Sequence, residues 1–184
     1  MKKYEFTGEV KTWFGRTLHQ IRAVVSFGDI KAGEIGGWIE KEENLAHDGN
    51  AWVYGNARVY GNARVSGDAL VSGNAMVYGN ALVSGDALVS VDALVYGDAR
   101  VYGNKHWFGI ACIGSRDGFT TFFRSKDMRI YVSCGCFRGD IDQFAEKVKE
   151  THGDNEHAKA YMLAIELAKL RIDLTDGEED GKSV

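Results

Sequence analysis

The amino-acid sequence predicts a mainly β protein built around a three-sided parallel β-helix, with a smaller α+β appendage after it. The first observation is a six-residue repeat that runs from residue 51 to residue 104. The second is that Ala and Val recur at fixed places in each repeat, and that Gly followed by Asn or Asp ends every repeat but one. The third is that this period stops at residue 105, where hairpin and helix signals replace it. A fixed short period is the signature of a solenoid.

Each repeat is predicted to be a short strand followed by a corner. Side chains alternate sides along a strand, so Ala and Val, two residues apart, point inward together. The inward positions run every sixth residue from Ala51 to Ala99 and from Val53 to Val101. Gly, Asn and Asp tolerate the backbone of tight corners. Three repeats then form one turn, and the nine repeats predict three turns stacked about 4.8 Å apart.

One repeat departs from the pattern, because Val91 stands where the others have Gly. A β-branched residue resists a positive φ angle. We therefore expect the Gly position to keep a negative φ and the following Asn or Asp to take the strained conformation. A local distortion at the Val91 corner is the alternative.

Outward side chains eighteen residues apart are expected to lie above one another, which sorts them into three faces. One face carries a tyrosine ladder, and a second carries an uncharged apolar stripe, here called the solenoid stripe. The ladder is Tyr60, Tyr78 and Tyr96, and the solenoid stripe is Trp52, Leu70 and Leu88. Contiguous exposed apolar surface usually marks an interface, so these residues predict a homo-oligomer. Tyr and Leu are also good neighbours within a sheet, which is the competing explanation.

Residues 1–50 are predicted to form a β-rich N-terminal cap on the solenoid. Short strands are expected from Tyr4 to Val10 and from Thr17 to Phe27, followed by a Gly-rich segment and a degenerate repeat around Leu45. Trp38 is the expected plug of the open end. Such a cap is needed because an uncovered end is an unpaired strand edge.

Residues 105–172 are predicted to form the α+β appendage, a three-stranded antiparallel sheet with two helices. The expected strands are 107–115, 119–124 and 129–136, and Asp117-Gly118 is a hairpin signal. Asp140 with Gln143 three residues later predicts a capping box, and Gly153 predicts the end of that first helix. A second helix is expected from Asp154 or Asn155 to about residue 172. Residues 173–184 are acidic and polar, and are expected to be a disordered tail.

Composition and charge exclude several classes of protein. The chain has 45% hydrophobic and 26% charged residues and no apolar run long enough to span a bilayer. The N-terminus lacks a secretory signal and the cysteines number three, so we expect a cytoplasmic protein. The net charge of −4 comes from the tail, since residues 173–184 alone sum to −4 and the rest to zero. General nucleic-acid binding is therefore not expected.

The best candidate for a ligand or partner site is a basic block in the appendage, which mixes arginines with aromatic side chains. Its residues are Arg116, Arg124, Arg129, Arg138, Trp107 and Tyr131. Such a mixture can hold phosphates and stack on rings, so the block predicts a nucleotide-like anionic ligand or a host protein complex. A solvated sheet face is the alternative.

A metal site is not expected. Cys112, Cys134, Cys136 and His152 have the chemistry of zinc ligands, but their spacing is not that of a zinc site. Cys134 and Cys136 share one side of a strand, which suits two ligands and equally suits two small core residues.

The segment from Gly36 to Val53, together with the repeats, resembles hexapeptide-repeat proteins of bacteria and their prophages. That resemblance implies a left-handed coil, frequent trimers and the label of acyltransferase. Such an enzyme would need acyl-CoA and a His general base beside the coils. Residues 51–104 contain no His and no Lys, and the nearest histidines are His47 and His106. We therefore expect no enzymatic activity, no catalytic residue and no cofactor.

The sequence thus predicts a non-enzymatic oligomeric binding protein. The resemblance to prophage proteins implies action in the host cytoplasm, by inhibiting or sequestering a host component in counter-defence. The alternatives are an acyl-CoA-dependent acyltransferase and a purely structural assembly protein.

Overall fold

The computed structural model describes residues 2–175 and confirms a mainly β fold. Within these residues the chain forms an antiparallel hairpin, a β-solenoid, a small antiparallel sheet and two helices, in that order. The expected disordered tail lies outside the described residues from position 176 onward. The first elements are β1 (Tyr4–Trp13), β2 (Arg16–Ala23), β3 (Ile35–Ile39) and a 3₁₀ helix (Glu42–Asn44).

The repeats form nine two-residue strands, one to each repeat. They are β4 (Trp52–Val53), β5 (Arg58–Val59), β6 (Arg64–Val65), β7 (Leu70–Val71), β8 (Met76–Val77), β9 (Leu82–Val83), β10 (Leu88–Val89), β11 (Leu94–Val95) and β12 (Arg100–Val101). They lie in three parallel sheets, with the orders β5-β8-β11, β4-β7-β10 and β6-β9-β12. Partners are eighteen residues apart, as Val53 is from Val71. The three-sided register is therefore confirmed.

The solenoid core consists of the two inward columns. Every repeat Ala and Val from Ala51 to Val101 is at most 1% exposed. Hydrogen bonds join each coil to the next, as from Arg58 N to Ala75 O at 2.9 Å. The small side chains and the regular hydrogen bonds allow the coils to stack without gaps.

The φ angles at the corners contradict the expectation based on Val91. The repeat glycines that precede Asn or Asp from Gly55 to Gly97 have φ between +55° and +75°, and Val91 itself has φ of +63°. The Gly position is therefore the strained one, and Val91 adopts the same backbone conformation as the glycines at the equivalent corners. Hydrogen bonds such as that from Asn74 N to Val91 O, 2.8 Å, hold the corner in the register of the stack.

The solenoid begins earlier than residue 51. β3 pairs in parallel with β5, so that Ile39 extends the column of Val59, and Leu45 bridges to Val65. Residues 35–53 are thus a first coil, and the solenoid has about four turns instead of three. The expectation that Trp38 plugs the end is wrong, because Trp38 pairs with Arg58 at an outward position.

The hairpin of β1 and β2 extends one solenoid sheet, because β2 pairs antiparallel with β3. Its start also folds over the first coil, where the rings of Tyr4 and Phe27 pack edge-on against Trp52. The N-terminal segment therefore covers the first strand edge, as a cap is required to do.

The appendage contains four strands, not the three expected from the sequence. They are β13 (Trp107–Ile113), β14 (Gly118–Arg124), β15 (Ile130–Cys134) and β16 (Phe137–Asp140), and they pair antiparallel in this order. The added strand is β16, which returns after a turn at Gly135 (φ +55°). This strand is only four residues long and contains Gly139, so the sequence carries no clear strand signal for it.

Two helices follow, with the ends that the sequence predicts. α1 (Ile141–His152) begins with the Asp140–Gln143 capping box and ends at Gly153. α2 (Glu156–Arg171) begins at Asn155, whose side chain accepts a hydrogen bond from Ala158 N. Both helices pack on one side of the four-stranded sheet, around Phe122 and Val132.

The other side of that sheet covers the last solenoid coil. Phe123 belongs to the solenoid core, and its ring packs edge-on against Tyr96. Leu94 N donates to Thr121 Oγ1 at 3.0 Å, and Lys126 N donates to Asp98 O at 3.0 Å. The sheet therefore serves as the second cap.

His106 joins the solenoid to the sheet. Its unprotonated Nδ1 accepts a hydrogen bond from Tyr102 N at 2.9 Å, and its carbonyl accepts one from Arg124 N at 2.8 Å. Burial, and then the charge of Arg124, lower the pKa of His106 below its usual value.

The strained corner yields the first prediction. Val91→Gly should stabilise the fold by about 1 kcal/mol, because a side chain at positive φ costs free energy and Val91 is 53% exposed. The melting temperature should rise by about 2–4 °C, measured by calorimetry. The matched control is Gly97→Val, at a corner with φ of +63° and no atom within 4 Å of an added Cβ; it should lower the melting temperature. A lower melting temperature for Val91→Gly would contradict this explanation.

The junction yields the second prediction. Because the pKa of His106 is lower folded than unfolded, the unfolded chain takes up a proton first as the pH falls below about 6.5. The free energy of unfolding should therefore decrease below that pH. His106→Asn offers an oxygen in place of Nδ1 at every pH, so its loss of stability between pH 7 and pH 5 in urea denaturation should be smaller. Parallel pH profiles for the two proteins would refute this role.

Candidate ligand-binding site

A cavity of about 290 Å³ opens in the appendage, beside the turn that follows β13 and the turn that follows β15. α1 closes one side with Phe144 and Val148, which are 3% exposed each, and α2 contributes Tyr161. Ile113 and Phe137 complete an apolar interior. Pockets of this kind bind the apolar part of small ligands.

A short chain of polar groups crosses the cavity wall. Thr120 Oγ1 donates to Cys134 Sγ at 3.2 Å, Cys134 Sγ donates to Tyr161 Oη at 3.4 Å, and Tyr161 Oη donates to Ile113 O at 3.5 Å. Burial, and then the Cys134 hydrogen bond, raise the pKa of Tyr161, so its hydroxyl stays neutral. Gly114 is required here, because a Cβ at this position would lie 1.9 Å from Tyr161 Oη.

The cavity rim, defined here as Arg116, Lys147 and His152, includes two cationic side chains, those of Arg116 and Lys147. Arg116 is exposed on the turn between β13 and β14, and Lys147 lies on α1. Lys147 Nζ also lies 2.9 Å from Glu150 Oε2, in a solvent-exposed ion pair. None of the lining residues that the structure describes is Asp or Glu. The mouth of the cavity therefore favours an anionic group.

The cysteines divide between the cavity and the outside. Cys134 and Cys136 line the cavity with His152, whereas Cys112 is exposed on β13 and does not line it. In the described part of the chain, no three His, Cys, Asp or Glu side chains are grouped closely enough to hold a metal ion.

The six predicted binding residues do not form one site. Arg116 lies at the cavity, but Arg124 is 1% exposed and was wrongly expected to be accessible. Arg124 Nε donates to Arg100 O at 3.2 Å, and Nη1 donates to Thr175 O at 3.0 Å. Arg124 therefore stabilises the junction, and its replacement by Glu would place an unpaired charge inside the fold.

The other four predicted binding residues are engaged in intramolecular contacts. Arg129 Nη2 lies 3.0 Å from Asp140 Oδ2, and Arg138 lies over the ring of Tyr96. Trp107 and Tyr131 are half-buried against the solenoid core. Side chains alternate sides along a strand, and these residues lie on the solenoid side of the sheet, away from Arg116.

The predicted oligomer interface is partly covered by the chain itself. Trp52 is fully buried and Tyr60 is 8% exposed, so the expectation that both are surface residues is wrong. Tyr60, Tyr78 and Tyr96 do stack, with ring centroids 5.1 and 5.7 Å apart. The exposed remnant of the solenoid stripe is Leu88, at 45% exposure, beside the half-buried Leu70.

The two histidines nearest the repeats have structural contacts. His47 Nδ1 accepts a hydrogen bond from Lys3 N at 3.3 Å, and its ring stacks on Tyr4. His106 Nδ1 accepts from Tyr102 N, as described above.

Sequence reasoning found Arg116 but missed the helical half of the cavity. Phe144, Lys147 and Val148 were predicted only to be part of a helix, and not to line a cavity. Their spacing of three and four residues was a usable signal, since it puts Phe144, Lys147 and Val148 on one face of a helix. The position of Tyr161 opposite them depends on how the two helices pack.

The family comparison matches the solenoid. Residues 51–91 match the model of a family described as YdcK Beta solenoid repeat, in overlapping copies at 51–67, 57–73, 63–77, 69–85 and 75–91. The repeat segment is a β-solenoid of the hexapeptide-repeat type. The appendage and its cavity lie outside the matched residues.

A curated relative is similar over a short stretch of the chain. The chain is 51% identical over 37 residues to a protein of Escherichia coli (strain K12) named "Uncharacterized acetyltransferase YdcK". The stretch covers 20% of this chain and 11% of the relative, so the chain spans about a tenth of that protein's length. Among the described residues, none of the helices is both long and apolar enough to cross a membrane.

Proposed function

We propose that this protein is a non-enzymatic binding protein, and that the appendage cavity binds a small amphipathic anion. The observation that carries this proposal is the cavity itself, which combines an apolar interior with two cationic side chains at its rim and no Asp or Glu among the lining residues that the structure describes. The solenoid acts as the scaffold that supports the appendage.

The chemistry of the cavity selects the ligand class. Phe137, Phe144 and Val148 offer contacts to a hydrocarbon chain or ring, and a volume of about 290 Å³ suits a small molecule. Arg116 and Lys147 line the same cavity and can contact a carboxylate or phosphate of that ligand. Charge-assisted hydrogen bonds to such a group are stronger than neutral ones, so the rim orients the ligand.

The resemblance to prophage proteins favours a host molecule as the ligand. A protein that holds a host anion without transforming it acts by sequestration, which is the counter-defence function predicted from the sequence. In this proposal the sequestered component is a small molecule instead of a protein complex, because the cavity is the site that combines the required charges with apolar surface.

Calorimetric titration with octanoate, and with octanol as its uncharged counterpart, tests the proposal. Octanoate should bind saturably and at least tenfold more tightly than octanol, because the charged contact to the rim is worth roughly 1.5–3 kcal/mol. Bound octanoate should also slow the alkylation of Cys136, which lines the cavity, but not that of the exposed Cys112.

Two variants locate the binding. Arg116→Ala and Lys147→Ala should each weaken octanoate binding by about tenfold, since each removes one charged contact. Lys126→Ala is the matched control, because Lys126 is an exposed lysine of the same sheet that does not line the cavity. Equal affinity for octanoate and octanol, or equal losses in all three variants, would rule out the rim as an anion site.

Acyl transfer is a second candidate function, favoured by the printed name of the E. coli relative. Against it stand the structural contacts of His47 and His106, which leave neither Nδ1 free to take a proton. A thermal-shift experiment with acetyl-CoA separates the two functions. We expect no saturable shift with acetyl-CoA, whereas a saturable shift together with release of free CoA would establish the enzyme.

A further inference from the structure

α2 is apolar on two faces, and only one of them is covered. The inner face, which includes Tyr161, Ile165 and Ala168, packs in the appendage core. On the outer face Leu163 is 72% exposed, Leu167 43% and Leu170 87%. These three leucines are here called the helix stripe.

The helix stripe has the spacing of a coiled-coil seam. Its leucines follow one another by four and then three residues, all within α2. Alternating steps of three and four put side chains along one line of a helix, as at the a and d positions of paired helices. Large exposed leucines in such a line are surface that water disfavours.

The charges beside the helix stripe indicate what covers it. Within α2, both acidic and basic residues lie beside it: Glu156, Lys159, Glu166, Lys169 and Arg171. Glu166 Oε1 lies 3.5 Å from Lys169 Nζ in the same chain, and Arg171 lies over the ring of Phe108, so both charges are at the surface with only weak intrachain contacts. Because charges of both signs border the helix stripe, this border favours neither a strongly acidic nor a strongly basic partner. It can complement the same border of a second copy. In the heptad of the seam, Glu166 takes the g position and Arg171 the following e position.

We propose that the helix stripe pairs with the same stripe of a second copy of this chain, with the two α2 helices parallel about a two-fold axis. In a parallel pair, Glu166 of each copy faces Arg171 of the other, so two ion pairs border the seam. This complementarity of Glu166 and Arg171 favours the parallel arrangement.

This interface differs from the one predicted from the sequence. In the solenoid stripe, Trp52 is buried beneath the N-terminal cap, and in the tyrosine ladder Tyr60 is buried. The helix stripe offers three exposed leucines in a line, whereas the solenoid stripe retains only Leu88 exposed and Leu70 half-buried. Self-association through α2 does not depend on the cavity, so the two proposals stand or fall separately.

Light scattering after size exclusion, over a range of protein concentrations, tests the pairing. Wild type should have the mass of a dimer, and Leu163→Glu with Leu170→Glu should weaken dimerisation at least a hundredfold while the protein remains folded, since both side chains are on the surface. The matched control, Leu70→Glu with Leu88→Glu, changes two leucines of the solenoid and should remain dimeric. A monomeric wild type, or a dimer that survives the first double change, overturns the proposal.

Charge exchange and cross-linking test the parallel orientation. Glu166→Arg and Arg171→Glu should each weaken the dimer about tenfold, and the two changes together should restore it. In a background with Cys112→Ser and Cys136→Ser, Leu167→Cys should form a disulfide between copies under mild oxidation, because equivalent seam residues meet at a parallel two-fold axis. Absence of that cross-link in a protein that is dimeric would overturn the parallel arrangement, as would a charge exchange that fails to restore the wild-type affinity.

Discussion

The whole molecule depends on the eighteen-residue register of the solenoid. Every coil donates its backbone hydrogen bonds to the next, and the inward columns of Ala and Val meet only while that register holds. A slip of one residue would turn each inward side chain outward, since the side-chain period of a strand is two. The register even imposes a positive φ on Val91, a conformation that this residue type resists.

Inside such a stack each strand pairs with a neighbour on both sides, but at its ends the strands lack a partner on one side. The first coil would expose unpaired strand edges and the ring of Trp52, and the last would expose the column that ends at Val101. The hairpin of β1 and β2 covers one end, and the β14 strand covers the other through Phe123 and Thr121. Because one side of the appendage sheet is used for this cap, only the other side and the loops at its edge are left for the ligand binding that we propose. The cavity and α2 lie there.

The sequence predicted the periodic parts of this fold and the helix ends because both depend on local rules. The repeat shows directly which positions point inward. The Asp140–Gln143 and Asn155 helix caps are formed by residues close in sequence. Which side chains meet across the appendage depends on long-range packing. Arg116 and Arg124, eight residues apart, look equivalent in the sequence, yet one borders the cavity and the other is buried at the junction. The burial of Trp52 likewise required the N-terminal segment to fold back over it.

Hydrogen exchange of the intact protein, followed amide by amide, tests most directly whether the flanking segments complete the solenoid. The account predicts that the amides of Leu94 and Trp52, in the end coils, exchange nearly as slowly as that of Met76 in the middle, because the two caps and the coils open as one cooperative unit. Exchange in the end coils that is faster by orders of magnitude, with slow exchange confined to the middle, would contradict it. The solenoid would then fray from its ends, and the appendage would be attached to it without serving as its cap.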